Sequence, residues 1–278
     1  MKISDILRHE TLWETRRQDR LETEKAFENF SGVIDAVELH IPYYRHECLE
    51  RIAQKAQEAT CPRMFISMGD AVNLDMFSLF FSDGYPSDNV KPRDEIEKLI
   101  KIIRRLSEYY EHMIFLVSNH EERIIKNLRR KLGKGIAEEY EYFLKDFDQI
   151  FNQSGLNIIV VKSPFVQIGD AVFSHFENNS IVPGSVDRWS VQYLLPRIEK
   201  KWDVLFQAHT HCQSKIPIDR KMIIETGTIA VTMDYWRRGK MTGRGKLSTY
   251  GYARCEMMNG KAILDRCDFV PMGWEEYL

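Results

Sequence analysis

Five short apolar runs in this chain each lead into a histidine, a carboxylate or an asparagine. That recurrence restricts the fold more than any other feature. Val33–Leu39 carries Glu38 and ends at His40, and Met64–Met68 leads into Gly69-Asp70, with Asn73 and Asp75 beyond. Met113–Ser118 leads into Asn119-His120-Glu121, Ala171–Ser174 into His175, and Val204–Gln207 into Ala208-His209-Thr210-His211. Runs of this length, rich in β-branched and aromatic residues, read as strands. The carboxyl ends of strands in α/β sheets border the ligand crevice. Side chains placed there on rigid elements can meet at one point.

Each piece alone has an ordinary reading. Gly-Asp after a strand is a common turn, and Asn before a helix is a common cap. Five such endings in the same position relative to a strand are poorly explained by chance. Imidazole and carboxylate groups suit Mn, Fe, Ni and Zn alike. Two divalent cations about 3.5–4 Å apart need a shared anionic bridge, and a carboxylate such as Asp70 can supply it.

Further strand candidates are Asn157–Val161, Phe165–Ile168, Met222–Glu225 and Tyr250–Met257. Helix candidates are Tyr44–Glu58, Arg93–Tyr110, Glu121–Leu132, Glu138–Gln153 and Ser190–Lys201. Early strands alternate with helices, which indicates α/β layering. Later strands crowd together, with hairpin turns expected at Gly169-Asp170 and Asn259-Gly260. The spacing predicts an α/β fold with two mixed sheets and helices outside them. Residues 1–31 read as a charged helical extension, and residues 32–278 as the domain.

Composition excludes several classes. The longest uninterrupted apolar runs are about five residues, as in Met113–Val117, against the roughly 20 needed to span a bilayer. The N-terminal sequence lacks the apolar core of a signal peptide. The five cysteines are odd in number and contain no C-x-x-C pair, which fits neither a disulfide framework nor a zinc knuckle. A cytoplasmic protein without membrane partners is expected. The 39 basic and 41 acidic residues exclude a broadly basic protein. Two local basic runs stand out, Arg123–Lys134 and Trp236–Arg254, the second with Tyr250 and Tyr252. Charge and stacking groups of this kind fit DNA or another nucleic acid, with Arg237 and Arg238 as its contacts.

The order ELH, GD-x-x-N, SNHE, H and AHTH resembles the calcineurin-like metallophosphoesterases, whose pattern is D-x-H, GD-x-x-[DN], GNH[ED], H and GH-x-H. The resemblance covers about residues 33–230. The stretches GDAVNLDMFS and LVSNHEERI, and HTH followed by IIETGT, are similar to the phage-type or bacterial DNA-associated members. The resemblance implies a four-layer α-β-β-α sandwich and two-metal hydrolysis of phosphoesters by a metal-bridging hydroxide. Glu38, His40, Asp70 and His211 would hold the first metal, and Asp70, Asn119, His175 and His209 the second. Manganese is the first expectation, with Fe, Ni, Zn or Co as alternatives. His120 would protonate the leaving oxygen. Asn73 would contact phosphate or support the site, and Arg123 could fork onto a phosphate oxygen.

Three positions depart from the family pattern. Glu38 replaces Asp, Ser118 replaces Gly and Ala208 replaces Gly. A phosphodiesterase or nuclease-like enzyme is the primary expectation. A phosphatase or phosphodiesterase on nucleotides and other small molecules is the first alternative. A binding or scaffold protein weakened in catalysis by Glu38 is the second.

Overall fold

The computed structural model describes residues 17–74, 91–118, 120–121, 147–175, 198, 200–230 and 249–272. Residues 17–26 are helical (α1). Strand β1 (Gly32–Val37) leads through α2 (His46–Gln57) to β2 (Arg63–Ser67), and through α3 (Pro92–Leu106) to β3 (His112–Leu116). Helix α4 (Phe147–Gln153) precedes β4 (Ile159–Val161), β5 (Phe165–Ile168), β6 (Ala171–Ser174) and β7 (Val204–Gln207). The chain continues through β8 (Gln213–Ile218), β9 (Lys221–Thr226), β10 (Gly251–Met258) and β11 (Lys261–Pro271).

Two mixed sheets result, in the order β11-β10-β1-β2-β3-β4 and β5-β6-β7-β9-β8. Strands β1 to β4 are parallel, as are β6, β7 and β9. Period-two alternation then assigns each strand residue a face. Ile34, Ala36, Met64, Ile66, Ile114 and Leu116 from the first sheet meet Ala171, Phe173, Val204, Phe206 and Ile224 from the second in one core. Their sequence neighbours turn outward: Phe65, Met113 and Phe115 pack with α2, α3 and α4. Val172, Leu205 and Ile223 form a smaller cluster with Trp202 on the outer face of the second sheet. The architecture is therefore the expected α/β pair of mixed sheets flanked by helices.

Helix α3 shows why these elements form. Pro92 opens it, Asp94 and Glu95 lie in its first turn, and Arg104 and Arg105 in its last. This arrangement suits the helix dipole. Ile96, Leu99, Ile103 and Leu106 make its buried stripe. Both expected hairpins form, closed by Gly169-Asp170 and Asn259-Gly260. In the second turn both φ angles are positive, at 50° and 72°, as a tight hairpin of this hand requires.

The structure adds two strands that the sequence patterns did not announce, β8 and β11. Each lies at a sheet edge. Pro217 interrupts the pattern of β8, and charges at Asp265, Arg266 and Asp268 interrupt that of β11, both being features that edges tolerate. The helix expected over Ser190–Lys201 does not include residues 198, 200 and 201. Its remaining residues, nearly all of Glu121–Leu132 and residues 138–146 of Glu138–Gln153 lie outside the described residues.

The described part of the N-terminal segment is docked on the sheets. Phe30 enters the inter-sheet core. The Gln167 N–H donates to Glu24 Oε1 at 3.1 Å, and the Arg20 guanidinium lies 4.2 Å from the Phe165 ring centre.

One buried charge sits inside the first sheet. Asp35 on β1 faces Arg254 on β10 and takes two of its N–H groups, at 2.7 and 2.9 Å. The Tyr110 hydroxyl donates to the same carboxylate at 2.8 Å. Burial pushes the Asp35 carboxyl up, with Arg254 and Tyr110 opposing. Arg254 and the fully buried Tyr252 therefore serve the sheet, a correction to the reading that placed both in a basic, base-stacking patch. Arg254→Met should lower unfolding stability by about 3 kcal/mol, because it strands a buried carboxylate. Asp35→Asn combined with Arg254→Met should lose less than half as much, as urea titration will read.

Candidate metal centre

The site gathers where parallel strands of both sheets end. Glu38 and His40 follow β1, Asp70 follows β2, His120 follows β3, His175 follows β6, and His209 and His211 follow β7. The first two loops are laced together. The His40 N–H donates to Asp70 O at 2.8 Å, Ile41 N–H to Ala71 O at 2.9 Å, and Asn73 N–H to Ile41 O at 2.8 Å.

The backbone bends sharply at these positions. His40, Asp70, His209 and His211 have φ of 52°, 48°, 81° and 53°. Side chains rarely adopt this left-handed region, and it marks places where surrounding structure holds strain. Gly69 is needed for the same reason. At φ +89°, a Cβ there would lie 2.7 Å from Ser118 Cβ and 2.9 Å from the His175 ring.

Two overlapping groups of donor atoms could each hold a metal ion: Glu38, His40, Asp70 and His211, and Asp70, His175 and His209. Within each group the donor atoms lie within 4.8 Å of one another. In the first, Glu38 Oε1 lies 3.0 Å from His40 Nε2 and 2.9 Å from His211 Nε2. The two imidazole nitrogens are themselves 2.8 Å apart. In the second, His175 Nε2 lies 3.2 Å from His209 Nδ1 and 3.3 Å from Asp70 Oδ1. Asp70 Oδ2 faces His40 Nε2 at 3.7 Å and His209 Nδ1 at 3.8 Å.

Neighbouring groups set the ring orientations. His40 Nδ1 lies 3.3 Å from Asn73 Oδ1, and His175 Nδ1 lies 2.7 Å from Met68 O. Both acceptors call for a proton on Nδ1, which turns the Nε2 lone pair toward the centre. Asn73 is thus behind His40, fully buried. His120 is also buried, outside both groups, with Nε2 3.5 Å from Asp70 Oδ2.

The electrostatics follow from this crowding. Burial acts to raise the Glu38 carboxyl, but the His211 and His40 imidazoles hold it well below the usual carboxylate range. Asp70 behaves alike, with His120 and His175 outweighing burial. His211 is pushed down to about 4 by burial, with Glu38 opposing and His40 adding. It is therefore neutral near pH 7, the form in which an imidazole can coordinate a metal. A cluster of acceptor atoms this close, with no thiolate among them, fits a borderline or hard divalent cation. Cys212 is buried and belongs to neither group.

The structure also brings in groups that the sequence reading left without a role. Glu121 Oε1 accepts the N–H groups of Ala71 and Val72, at 2.7 and 3.3 Å. Its Oε2 accepts those of Asp70 and Ser118, at 3.2 and 3.0 Å. Glu95 Oε2, from α3, accepts the N–H groups of Asn73 and Leu74 at 3.0 and 2.8 Å. A charged residue on the apolar face of an amphipathic helix was the available signal for Glu95. The Thr228 hydroxyl donates to Glu38 O at 3.3 Å. Asn119, Arg123, Arg237 and Arg238 lie outside the described residues.

No family model and no curated protein matches the chain. Among solved structures, a single mutant of Vps29 from Entamoeba histolytica is 9% identical over 87% of this chain and 99% of its own, with a TM-score of 0.40. An archaeal phosphodiesterase is 14% identical over 83% of this chain and 96% of its own, with a TM-score of 0.38. A conserved Streptococcus pneumoniae protein, described as a predicted phosphoesterase, is 11% identical over 82% of this chain and 84% of its own, with a TM-score of 0.33. Among the described residues no helix is long and apolar enough to cross a membrane.

The metal-free centre has a testable pH response. Burial disfavours a charged His175, yet the Asp70 carboxylate beside it raises the ring to about 9, against roughly 6.5 for an unperturbed histidine. A raised folded-state value means stability that is fully present below about pH 6.5 and lost as pH rises through 9. Metal-free protein should lose on the order of 3 kcal/mol across that window, and His175→Gln should flatten the slope. A level wild-type profile in denaturant titrations at pH 6, 7.5 and 9 would contradict the assignment.

Proposed function

We propose that the chain is a metal-dependent phosphoesterase of the calcineurin-like metallophosphoesterase type, acting on phosphodiesters. The observation that carries this reading is the pair of donor groups that share Asp70. Glu38, His40, Asp70 and His211 would hold one divalent cation. Asp70, His175 and His209, with Asn119 of the preceding motif, would hold the other. Bound there, two cations supply Lewis acidity toward the phosphoryl oxygens and toward an attacking water.

The chain's own residues do the rest. Asn73 and Met68 O orient His40 and His175 so that each presents Nε2. Glu38 reaches both His40 and His211 with one oxygen. Its other oxygen accepts the His209 N–H at 3.1 Å, which ties the end of β1 to the loop after β7. The added methylene of Glu, relative to the family Asp, is thus taken up with the carboxylate still at the donor cluster. His120 stands beside the shared carboxylate without belonging to either group, a place suited to a general acid that protonates the leaving oxygen. The mixed imidazole and carboxylate donors suit Mn, Fe, Ni, Co and Zn alike, with Mn the first candidate by the family resemblance.

Purified protein should hydrolyse bis(p-nitrophenyl) phosphate with Mn²⁺, lose that activity to a chelator, and regain it on metal return. His120→Ala should lower kcat by about 10²–10⁴-fold with bound metal unchanged. Absence of turnover across Mn, Ni, Co and Zn, with metal binding confirmed, would refute the enzyme reading. Glu38→Asp should lower activity at least about tenfold, since the supporting geometry around a ligand is worth that much. A rise in activity would mean that Glu38 weakens the native site, as the scaffold alternative requires.

A further inference from the structure

Ser118 stands where the family pattern has glycine, yet the backbone there does not use the left-handed region open to glycine. Its hydroxyl holds Asp70 at two points. Oγ accepts the Asp70 N–H at 2.8 Å and hydrogen-bonds to Asp70 Oδ1. Glu121 Oε2 lies 2.6 Å from the same hydroxyl, so the single hydroxyl proton is shared between the Asp70 and Glu121 carboxylates, and the contact keeps Ser118 turned into the loop.

This division of labour matters for the two oxygens of Asp70. Glu121 takes up backbone N–H groups on either side and so sets the loop, not the carboxylate. His175 also neighbours Oδ1, but it is a candidate ligand whose Nε2 lone pair would turn to a cation. That leaves Ser118 to hold Oδ1. Oδ2 is then the oxygen that faces both donor groups, through His40 at 3.7 Å and His209 at 3.8 Å.

We propose that Ser118 is a positioning residue that fixes the plane of the Asp70 carboxylate, anchoring one oxygen in the loop and presenting the other to both donor groups. The inference rests on the two-cation reading above. A glycine at 118 offers no hydroxyl for this purpose, and the Asp70 carboxylate plane could then turn until neither oxygen faces both donor groups. With Ser118 in place one oxygen is preset toward both donor groups, so two cations would bind as a coupled pair.

The test uses full-length, metal-free protein titrated with Mn²⁺, with wild type, Ser118→Ala and Ser118→Gly side by side. Calorimetry reads each equivalent, and electron paramagnetic resonance reads coupling between them. Wild type should bind two equivalents and show an exchange-coupled spectrum. Both variants should bind the second equivalent about 10–100-fold more weakly, the usual effect of removing a hydrogen bond behind a ligand. At two equivalents they should show the six-line signal of isolated Mn²⁺. Their metal-free melting temperatures should fall by no more than about 8 °C, the size expected for two lost hydrogen bonds in a domain of this length. Wild-type affinity and an unchanged coupled spectrum in both variants would overturn the inference. A wild-type protein that takes fewer than two equivalents would overturn the two-cation reading itself.

Discussion

Two carboxylates buried beside each other, Glu38 and Asp70, are the constraint on which this structure turns. Each is almost wholly removed from solvent. An ionised carboxylate in such a place is strongly disfavoured unless paired and hydrogen-bonded. Five imidazoles supply that environment, and they do so only because four site residues accept a left-handed backbone. Strain of this kind costs about 1–3 kcal/mol per residue and persists where the surroundings over-determine it. Glu121 and Glu95 are the surroundings here. Both are buried, and both spend their oxygens on N–H groups of the loop that carries Asp70.

The sheets bring these groups together. Each donor lies within a few residues of the C-terminal end of a parallel strand. The parallel strands β1, β2 and β3 belong to one sheet, and β6 and β7 to the other. Neither sheet alone holds both donor groups: Glu38, His40 and Asp70 come from the first, and His175, His209 and His211 from the second. The inter-sheet core built from Ile34, Ile66, Leu116, Phe173 and Phe206 therefore does more than stabilise the fold. It sets the distance between the two halves of the site, because packed interiors leave little room for displacement. The hydrogen bonds from His209 N–H to Glu38 and from His175 Nδ1 to Met68 O are direct ties between them.

Departures from a family pattern acquire physical content in this setting. Glu38 is longer than the expected Asp, and its two oxygens are divided between the imidazole cluster and a backbone donor. Ser118 adds a hydroxyl where none is expected, and the hydroxyl acts on the carboxylate common to both groups. Gly69, an ordinary turn residue by its sequence, is held to glycine by the approach of Ser118 and His175.

The candidate donors Glu38, His40, Asp70, His175, His209 and His211 were legible in the sequence, because strand periodicity is local and each residue sits where a run of apolar residues stops. The α/β class was legible for the same reason. Edge strands β8 and β11 were not, since Pro217 and interspersed charges remove the alternation that a half-buried strand requires. The duties of Glu121, Glu95 and Ser118 were hidden because they depend on backbone N–H groups about 50, 22 and 48 positions away in the chain. Tyr252 and Arg254 read as surface groups from a basic run, and the β1–β10 pairing placed them in and beside the core. The amino-acid sequence by itself determined which chemistry the chain could carry and where its strands would end. Which oxygen meets which nitrogen, and which charges are spent on holding the loops, only the tertiary structure decided. Those contacts join residues far apart in the chain, and only the packing of one sheet on the other sets their distances.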